Sequence, residues 1–360
     1  MVGISPSAYL KQERKMKTYL KSTFLKVATL GILAMSLSTT SAVADTELVM
    51  SSWLPAKHPI VVNAFKPWAK QISEVTDGRV TVRILSKPLG APPAHYDMAV
   101  DGVADITYGL HSFTKDDRFK RSRIGQFSFI GNDAESGSTA FWNVYTENLD
   151  AQAEHKGAKL LGLFVHGPGI LHTKDKKISQ PSDLEGLKIR TPGGYIADMM
   201  KDQGASTLFM SSGEVFEKLS RGVIDGVTFT YEAITAFKLT DHINHSMRIP
   251  GGIYNTTWFV VANQKKWDSI SKEDQAAIEA ISGPAFASLI GKAWNDADTK
   301  AIVVMEKADI EIYDASPEML ESISGTAKQL EADWVKSIAG DGFDGEAALV
   351  ELRKQSKVAK

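Results

Sequence analysis

The stretch from Glu47 to Leu85 constrains the fold more than any other. "ELVMSSWLP" reads as a strand that ends in a loop. "HPIVVNAFKPWAKQISEVTDGRV" follows, with Val62, Phe65, Trp68, Ile72 and Val75 at helical spacing and Asp77-Gly78 as a stop signal. "RVTVRIL" then alternates as a strand does. Strand, helix and strand in succession make a βαβ unit, which requires a parallel sheet. With 360 residues, 43% of them hydrophobic, the chain has material for two α/β domains.

Two short segments support a second copy of this kind of unit. "MAVDGVADITYG" (98–109) and "KLSRGVIDGVTF" (218–229) each read as a helix end, a glycine turn, an aspartate and a strand. The physical reading is one helix-to-strand corner in each of two domains. "GAKLLGLFVHGPGILHTKDKKI" (157–178) reads as two strands broken at Gly167-Pro168-Gly169, and "GGIYNTTWFVVANQKKWDSI" (251–270) as another strand pair. Long strands passing between domains are natural hinges. From Ser271 the pattern is helical for a long way, and Ser271 with Asp274 suits a helix start. "ADIEIYDAS" is a short strand, followed by a helix that begins at Pro317. The chain after Gly342 is polar and is expected to fray.

The N-terminus speaks for export. "MKTYLKSTFLK" (16–26) is basic, "VATLGILAMSL" (27–37) is a short apolar run, and Ala42-Val43-Ala44 forms a small-x-small cleavage pattern before Asp45. The run is shorter than the ~20 residues a membrane-spanning helix needs. Residues 1–44 are therefore expected to be a cleaved signal peptide, and the remainder a soluble periplasmic protein. The fifteen residues before Met16 add nothing to the signal. Removal of residues 1–44 turns a balance of 41 basic and 43 acidic residues into 35 against 42, a formal net charge of −7. That balance argues against nucleic acid or an anionic membrane surface as a partner.

Enzyme signatures are absent from the sequence: no G-x-S-x-G, H-E-x-x-H, G-x-x-x-x-G-K-[ST] or G-x-G-x-x-G occurs. There is no cysteine, which excludes thiol nucleophiles, thiolate metal sites and disulfides. His242 and His245 sit about one helical turn apart without an evident third metal ligand, so they read as a solvated helix surface. His166 and His172 flank the Gly-Pro-Gly turn and either face a cleft or are satisfied by backbone. No cofactor is expected.

Arg190, in "LEGLKIRTPGGY", stands where a short strand runs into a Thr-Pro-Gly-Gly turn. Three outcomes are open for it. It pairs internally with an acid, it is exposed, or it points into a cleft and grips a ligand carboxylate through its fork of N–H donors. The C-terminal end of a strand in an open α/β sheet is where ligands bind.

This run, continued through "IADMMKDQGAS" to "SSGEVFEKLSRGVIDGV", closely resembles the extracytoplasmic solute-binding proteins of TRAP transporters, the DctP type. Further matches stand in order along the chain: the "HPIVVNAFKPWAKQISEVTDGRV" helix, "LGAPPAHYDMAVDGVADITYG", "KKISQPSDLEGLKIRTP" and "FVVANQKKWDSISKEDQAAIE". The resemblance runs from Asp45 to about Leu349 and implies a two-domain periplasmic solute-binding protein fold. It brings an interdomain cleft, hinge strands and a long helix spanning both domains. On this basis residues 45–166 with 254–294 form the first domain, residues 167–253 with 295–349 the second, and 350–360 a polar tail. The resemblance also implies that Arg190 holds the substrate carboxylate, that membrane subunits of a transporter are the partners, and that the protein is a binding protein rather than an enzyme. A monomer is expected.

Departures bear on the substrate. Family members for sialic acid or dicarboxylates often carry a second arginine on the strand after the first crossover, where this chain has "HGPGILHT". Many also show an asparagine after "DG", where this chain reads "VTFTYEAI". A family subset with a similar Gly-Pro-Gly strand and an aromatic-Glu pair like Tyr231-Glu232 tends towards small monocarboxylates, some aromatic. Other lining candidates follow from position: Trp53 and His58 after the first strand, Tyr108 and His111 after "ADITYG", His166, Tyr195, Phe209, Met210, Tyr231, Glu232 and Trp258. Glu232 is the odd one. Beside an anion it must be protonated, salt-bridged or turned away, or else accept a hydrogen bond from a ligand hydroxyl or amine; a plain first-turn helix acid is the remaining reading. The rival functional readings are a periplasmic hydrolase on the same scaffold and a sensory protein that presents its ligand to a receptor.

Overall fold

The computed structural model describes residues 46–114 and 116–356, so the expected signal segment and the last four residues lie outside the described residues. Among the described residues, eleven strands form two sheets. The first has the order β2-β1-β3-β10-β4, from β1 (Thr46–Met50), β2 (Val80–Ile84), β3 (Ile106–Leu110), β4 (Ala158–Val165) and β10 (Thr257–Asn263). The second has the order β11-β9-β5-β8-β6-β7, from β5 (Ile170–Thr173), β6 (Lys188–Thr191), β7 (Ser206–Phe209), β8 (Gly226–Phe229), β9 (His245–Arg248) and β11 (Glu311–Asp314). β1 runs parallel to β2 and β3, and β6 parallel to β7 and β8, as βαβ units require. β10 and β5 are the antiparallel members. The fold is mixed α/β, with helices packed against both sheets.

The sequence similarity between 98–109 and 218–229 has a structural cause. In the first sheet Asp105 accepts a hydrogen bond from the Val49 amide on its carboxylate (2.8 Å) and donates its own amide to the Val49 carbonyl (3.0 Å). In the second, Asp225 does the same to Lys188, at 2.8 Å each way. Each aspartate thus stitches the entry of one strand to the parallel strand beside it.

β10 lies between two neighbours and is buried along its whole length. Trp258, Val260 and Ala262 face one apolar cluster while Phe259 and Val261 face the other, the period-2 alternation of a strand with two covered faces. The helix Gly283–Lys307 has 25 residues, roughly 38 Å of rise. Its first half (Phe286, Ile290, Trp294) packs into the cluster under the first sheet. Its second half (Ala301, Met305) packs with Val215, Leu219 and Val227 of the second.

The chain also passes between the sheets at residues 166–169 and 249–256. These crossings pair with each other, Gly169 N donating to Tyr254 O (2.8 Å) and Ile253 N to Gly169 O (3.0 Å). Close approach explains the glycines: a Cβ on Gly169 would stand 2.2 Å from the Tyr254 ring, and one on Gly167 2.3 Å from the Asp298 carboxylate.

Some sequence expectations change. Residues 251–270 do not form a strand pair. Gly251 and Gly252 turn the chain at positive φ, one strand follows, and Asn263 then caps the helix Gln264–Asp268 by accepting from the Lys266 amide (2.9 Å). The expected polar tail is ordered through residue 356. Asp344 caps the helix Gly345–Gln355 by accepting from the Ala347 amide (2.9 Å), and Leu349 and Leu352 are buried. Polarity there marks only the outer face of an amphipathic helix. In the first helix Phe65, Trp68 and Ile72 are buried, but Val62 and Val75 stand exposed at its ends. His242 ends a short turn and His245 opens β9, so they share no helix face.

Candidate functional site

The C-terminal ends of the parallel strands in both sheets converge on one largely apolar cavity. The first sheet contributes Trp53, Leu54 and His58 after β1, Leu110 and Phe113 at and after β3, His166 after β4, and Thr256 and Trp258 where β10 begins. The second contributes Arg190 and Pro192 from β6, Ser212 after β7, and Phe229, Thr230, Glu232, Ala233 and Phe237 from β8 onward. Tyr254, on a crossing, and Trp294, on the long helix, complete the wall. The wall is largely aromatic: Trp53 stacks on Trp258 at 5.4 Å with 4° between planes, and Phe229 stacks on Phe237 at 5.8 Å with 16°.

Arg190 is 2% exposed. Its Nε and Nη2 both donate to the Met210 carbonyl (3.0 and 2.8 Å), and its Nη1 donates to the Thr228 carbonyl (3.2 Å). These bonds take three of the five N–H donors of a guanidinium and leave one on each Nη nitrogen. The guanidinium also lies over the Phe229 ring, 4.3 Å from its centroid. Among the described residues no Asp or Glu pairs with it. Its pKa is lowered to about 10, chiefly by burial.

Glu232 sits in the first turn of the helix Tyr231–Ala236, is buried, and faces the cavity. Its backbone amide donates to Asp298 (2.7 Å) and its Oε1 accepts from Thr230 at 3.4 Å. Burial first, and the nearby Asp298 second, raise its pKa to about 8. Asp298 is itself raised to about 7 by burial, so the two acids resist ionising together. His58 Nε2 lies 3.5 Å from Glu232 Oε2, and burial lowers its pKa to about 3. His166 accepts from the Thr256 amide on Nε2 (3.0 Å) and is lowered by burial to about 4.

Of the residues singled out from sequence, Trp53, His58, His166, Arg190, Glu232 and Trp258 meet in the lining. The others fall outside it, each for a local reason. Tyr108 lies deeper in β3 and uses its hydroxyl to hold the Ser52 hydroxyl (2.8 Å) and the Leu54 amide (3.0 Å), which shapes the loop carrying Trp53. His111 turns into the core against His155, Nε2 to Nε2 at 3.0 Å. Tyr195 points back to Ser128 (2.7 Å). Phe209 is 46% exposed and packs edge-on against Phe113. Met210 contributes its carbonyl to Arg190 while its side chain packs in the core. Tyr231 faces away because consecutive helical residues diverge by about 100°. His172, the other histidine beside the Gly-Pro-Gly turn, donates to or accepts from Ser246 (2.8 Å) within the sheet. The residues missed were mainly Phe113, Phe229, Phe237, Tyr254 and Trp294. Phe113 and Phe229 obey the same strand-end rule that singled out their neighbours. Trp294, in mid-helix, carries no such signal.

The family described as bacterial extracellular solute-binding protein, family 7, DctP, matches residues 50–337. The chain belongs to this family of TRAP periplasmic solute-binding proteins, whose members bind small organic acids and work with membrane subunits. A TRAP periplasmic solute-binding protein from Bordetella bronchiseptica, with bound (R)- and (S)-mandelate, is similar with TM-score 0.84 and 39% identity, over 87% of this chain and 99% of that one. One from Rhodoferax ferrireducens, in complex with copurified benzoate, has TM-score 0.80 and 28% identity over 88% and 100% of the two chains. Among curated proteins, the outer membrane transporter protein TsaT of Comamonas testosteroni is 28% identical over 332 residues, 92% of this chain and 97% of that protein.

Proposed function

We propose that this protein captures a small organic acid with a single carboxylate and an aromatic or otherwise apolar body, and delivers it to TRAP membrane subunits. The observation that carries the reading is Arg190: buried, bonded only to carbonyls, with one free N–H on each Nη inside an aromatic cavity. Two parallel N–H donors match the two oxygens of a carboxylate. A second carboxylate would enter without a second arginine and beside two acids, at a high desolvation cost. The mandelate- and benzoate-binding relatives support the same ligand class.

Two lobes, residues 45–166 with 254–294 and 167–253 with 295–349, close about the crossings, and the closed form presents itself to the membrane partner. The long helix, packed into both clusters, keeps the lobes in register as they move. A melting-temperature screen of aromatic and aliphatic monocarboxylates and dicarboxylates tests the reading. A ligand at about 100 times its Kd adds about 2.7 kcal/mol of stability. Monocarboxylates with a flat apolar body are expected to raise the melting temperature most; a response confined to dicarboxylates or to uncharged solutes would contradict the assignment.

A further inference from the structure

The cavity has a second polar corner that the carboxylate clamp does not use. Glu232 Oε2 is fully buried and has no hydrogen-bond partner among the described residues. His58 Nε2 stands 3.5 Å from it. His58 Nδ1 accepts from the Ile60 amide (3.4 Å), which places the ring proton on Nε2. The Trp294 indole N–H, also buried, makes no hydrogen bond of good geometry but lies close enough to the same carboxyl to lower its pKa. All three side chains line the cavity. The corner therefore offers two N–H donors and one carboxyl oxygen; the oxygen and the indole N–H are removed from water and costly to leave unmet.

We propose that Glu232, His58 and Trp294 hold a hydroxyl group of the bound acid, so that the ligand is a hydroxy-substituted carboxylic acid. This rests on the reading that Arg190 takes the carboxylate. A hydroxyl both donates and accepts, so it can meet the two N–H groups and the Glu232 carboxyl whichever oxygen of the neutral acid carries the proton. A plain hydrocarbon would leave all three groups unsatisfied. A second carboxylate would meet the N–H groups but also the Glu232 carboxyl, with the buried Asp298 behind it. An ammonium would find no counter-charge on a neutral Glu232 carboxyl and would oppose both N–H donors. Selectivity of this kind is strong, because a site built around a hydroxyl pays for its absence with unpaired buried groups.

Titration calorimetry with phenylacetate, mandelate, 3-hydroxyphenylacetate, 4-hydroxyphenylacetate and phenylglycine tests the assignment on the wild-type protein, Glu232→Met and Arg190→Ala. At least one hydroxy acid is expected to bind about tenfold or more tightly than phenylacetate. That gain, taken as the ratio of hydroxy-acid to phenylacetate affinity within each protein, should vanish in Glu232→Met, and a cooperative melting transition checks that the variant is folded. The subsite is overturned if no hydroxy acid gains over phenylacetate, if the gain survives in Glu232→Met, or if phenylglycine outbinds every hydroxy acid. In each of these cases phenylacetate binding that is lost in Arg190→Ala leaves the clamp standing. No binding of any acid, or binding indifferent to Arg190→Ala, overturns the clamp and the subsite with it.

Discussion

An acid bound at Arg190 shares its cavity with Glu232, and burial resolves the conflict by holding the Glu232 carboxyl neutral through much of the neutral range. This has a consequence for stability. Glu232 and Asp298 bind their protons more tightly in the folded chain (about 8 and 7) than their ordinary values of 4.5 and 3.8. Their contribution is complete at low pH and is lost as the pH climbs towards 8. The buried histidines act oppositely. His58 and His172 fall to about 3, and His155 and His166 to about 4, from 6.5, so their contribution is lost as the pH drops below 6.5. Below pH 6.5 the windows overlap and the four histidines outweigh the two acids, while above it only the acids lose, so stability peaks near pH 6.5. The ligand-free protein is expected to melt highest near pH 6.5 and to lose on the order of 1–2 kcal/mol by pH 8. Glu232→Gln should flatten that alkaline decline. A melting temperature that rises from pH 6.5 to 8 in the wild-type protein would contradict the assigned environment of both acids.

At the scale of elements, the site depends on strand ends and on the two crossings. Gly169 permits the approach of the crossing that carries Tyr254, a cavity wall. Gly169→Ala would drive a methyl group into the Tyr254 ring. Overpacking of this kind costs ~1–3 kcal/mol, and the shift of Tyr254 should weaken acid binding as well. Chemical denaturation and calorimetry on this one variant check both outcomes; unchanged stability would show that the crossings have room to spare. Much of this level was legible in the sequence. The βαβ unit, the paired Asp105 and Asp225 corners, the break at Gly167-Pro168-Gly169 and the Ser271 cap all stand in the chain as local patterns. The helix Gly345–Gln355 was not legible, because its few apolar residues are set by packing against other elements rather than by a continuous periodic stripe. Strand-end position singled out Arg190, Trp53 and Glu232, which line the cavity, yet could not say which way each neighbour turns. Tyr108 and Leu110 share a face of β3 and differ in depth, only Leu110 reaching the cavity, while His111 and Phe113 part in the turn that follows according to their tertiary partners.

At the scale of the whole molecule, binding joins two sheets that the chain connects at three places, and Trp294 shows what that joining hides from a sequence. It is a mid-helix residue whose role arises only because the long helix crosses the cavity between the lobes. The central claim is that a guanidinium held by carbonyls alone waits for a visiting carboxylate. A buried hydrogen-bonded charge pair broken from one side costs ~2–5 kcal/mol, which is on the order of 30-fold or more in affinity. Lysine offers a point charge in place of the fork and should recover little of it. Titration calorimetry of the best monocarboxylate from the melting screen against wild-type protein, Arg190→Ala and Arg190→Lys is the most direct measurement. At least that thirty-fold loss is expected in Arg190→Ala and most of it in Arg190→Lys; equal affinity in all three proteins would contradict the carboxylate clamp.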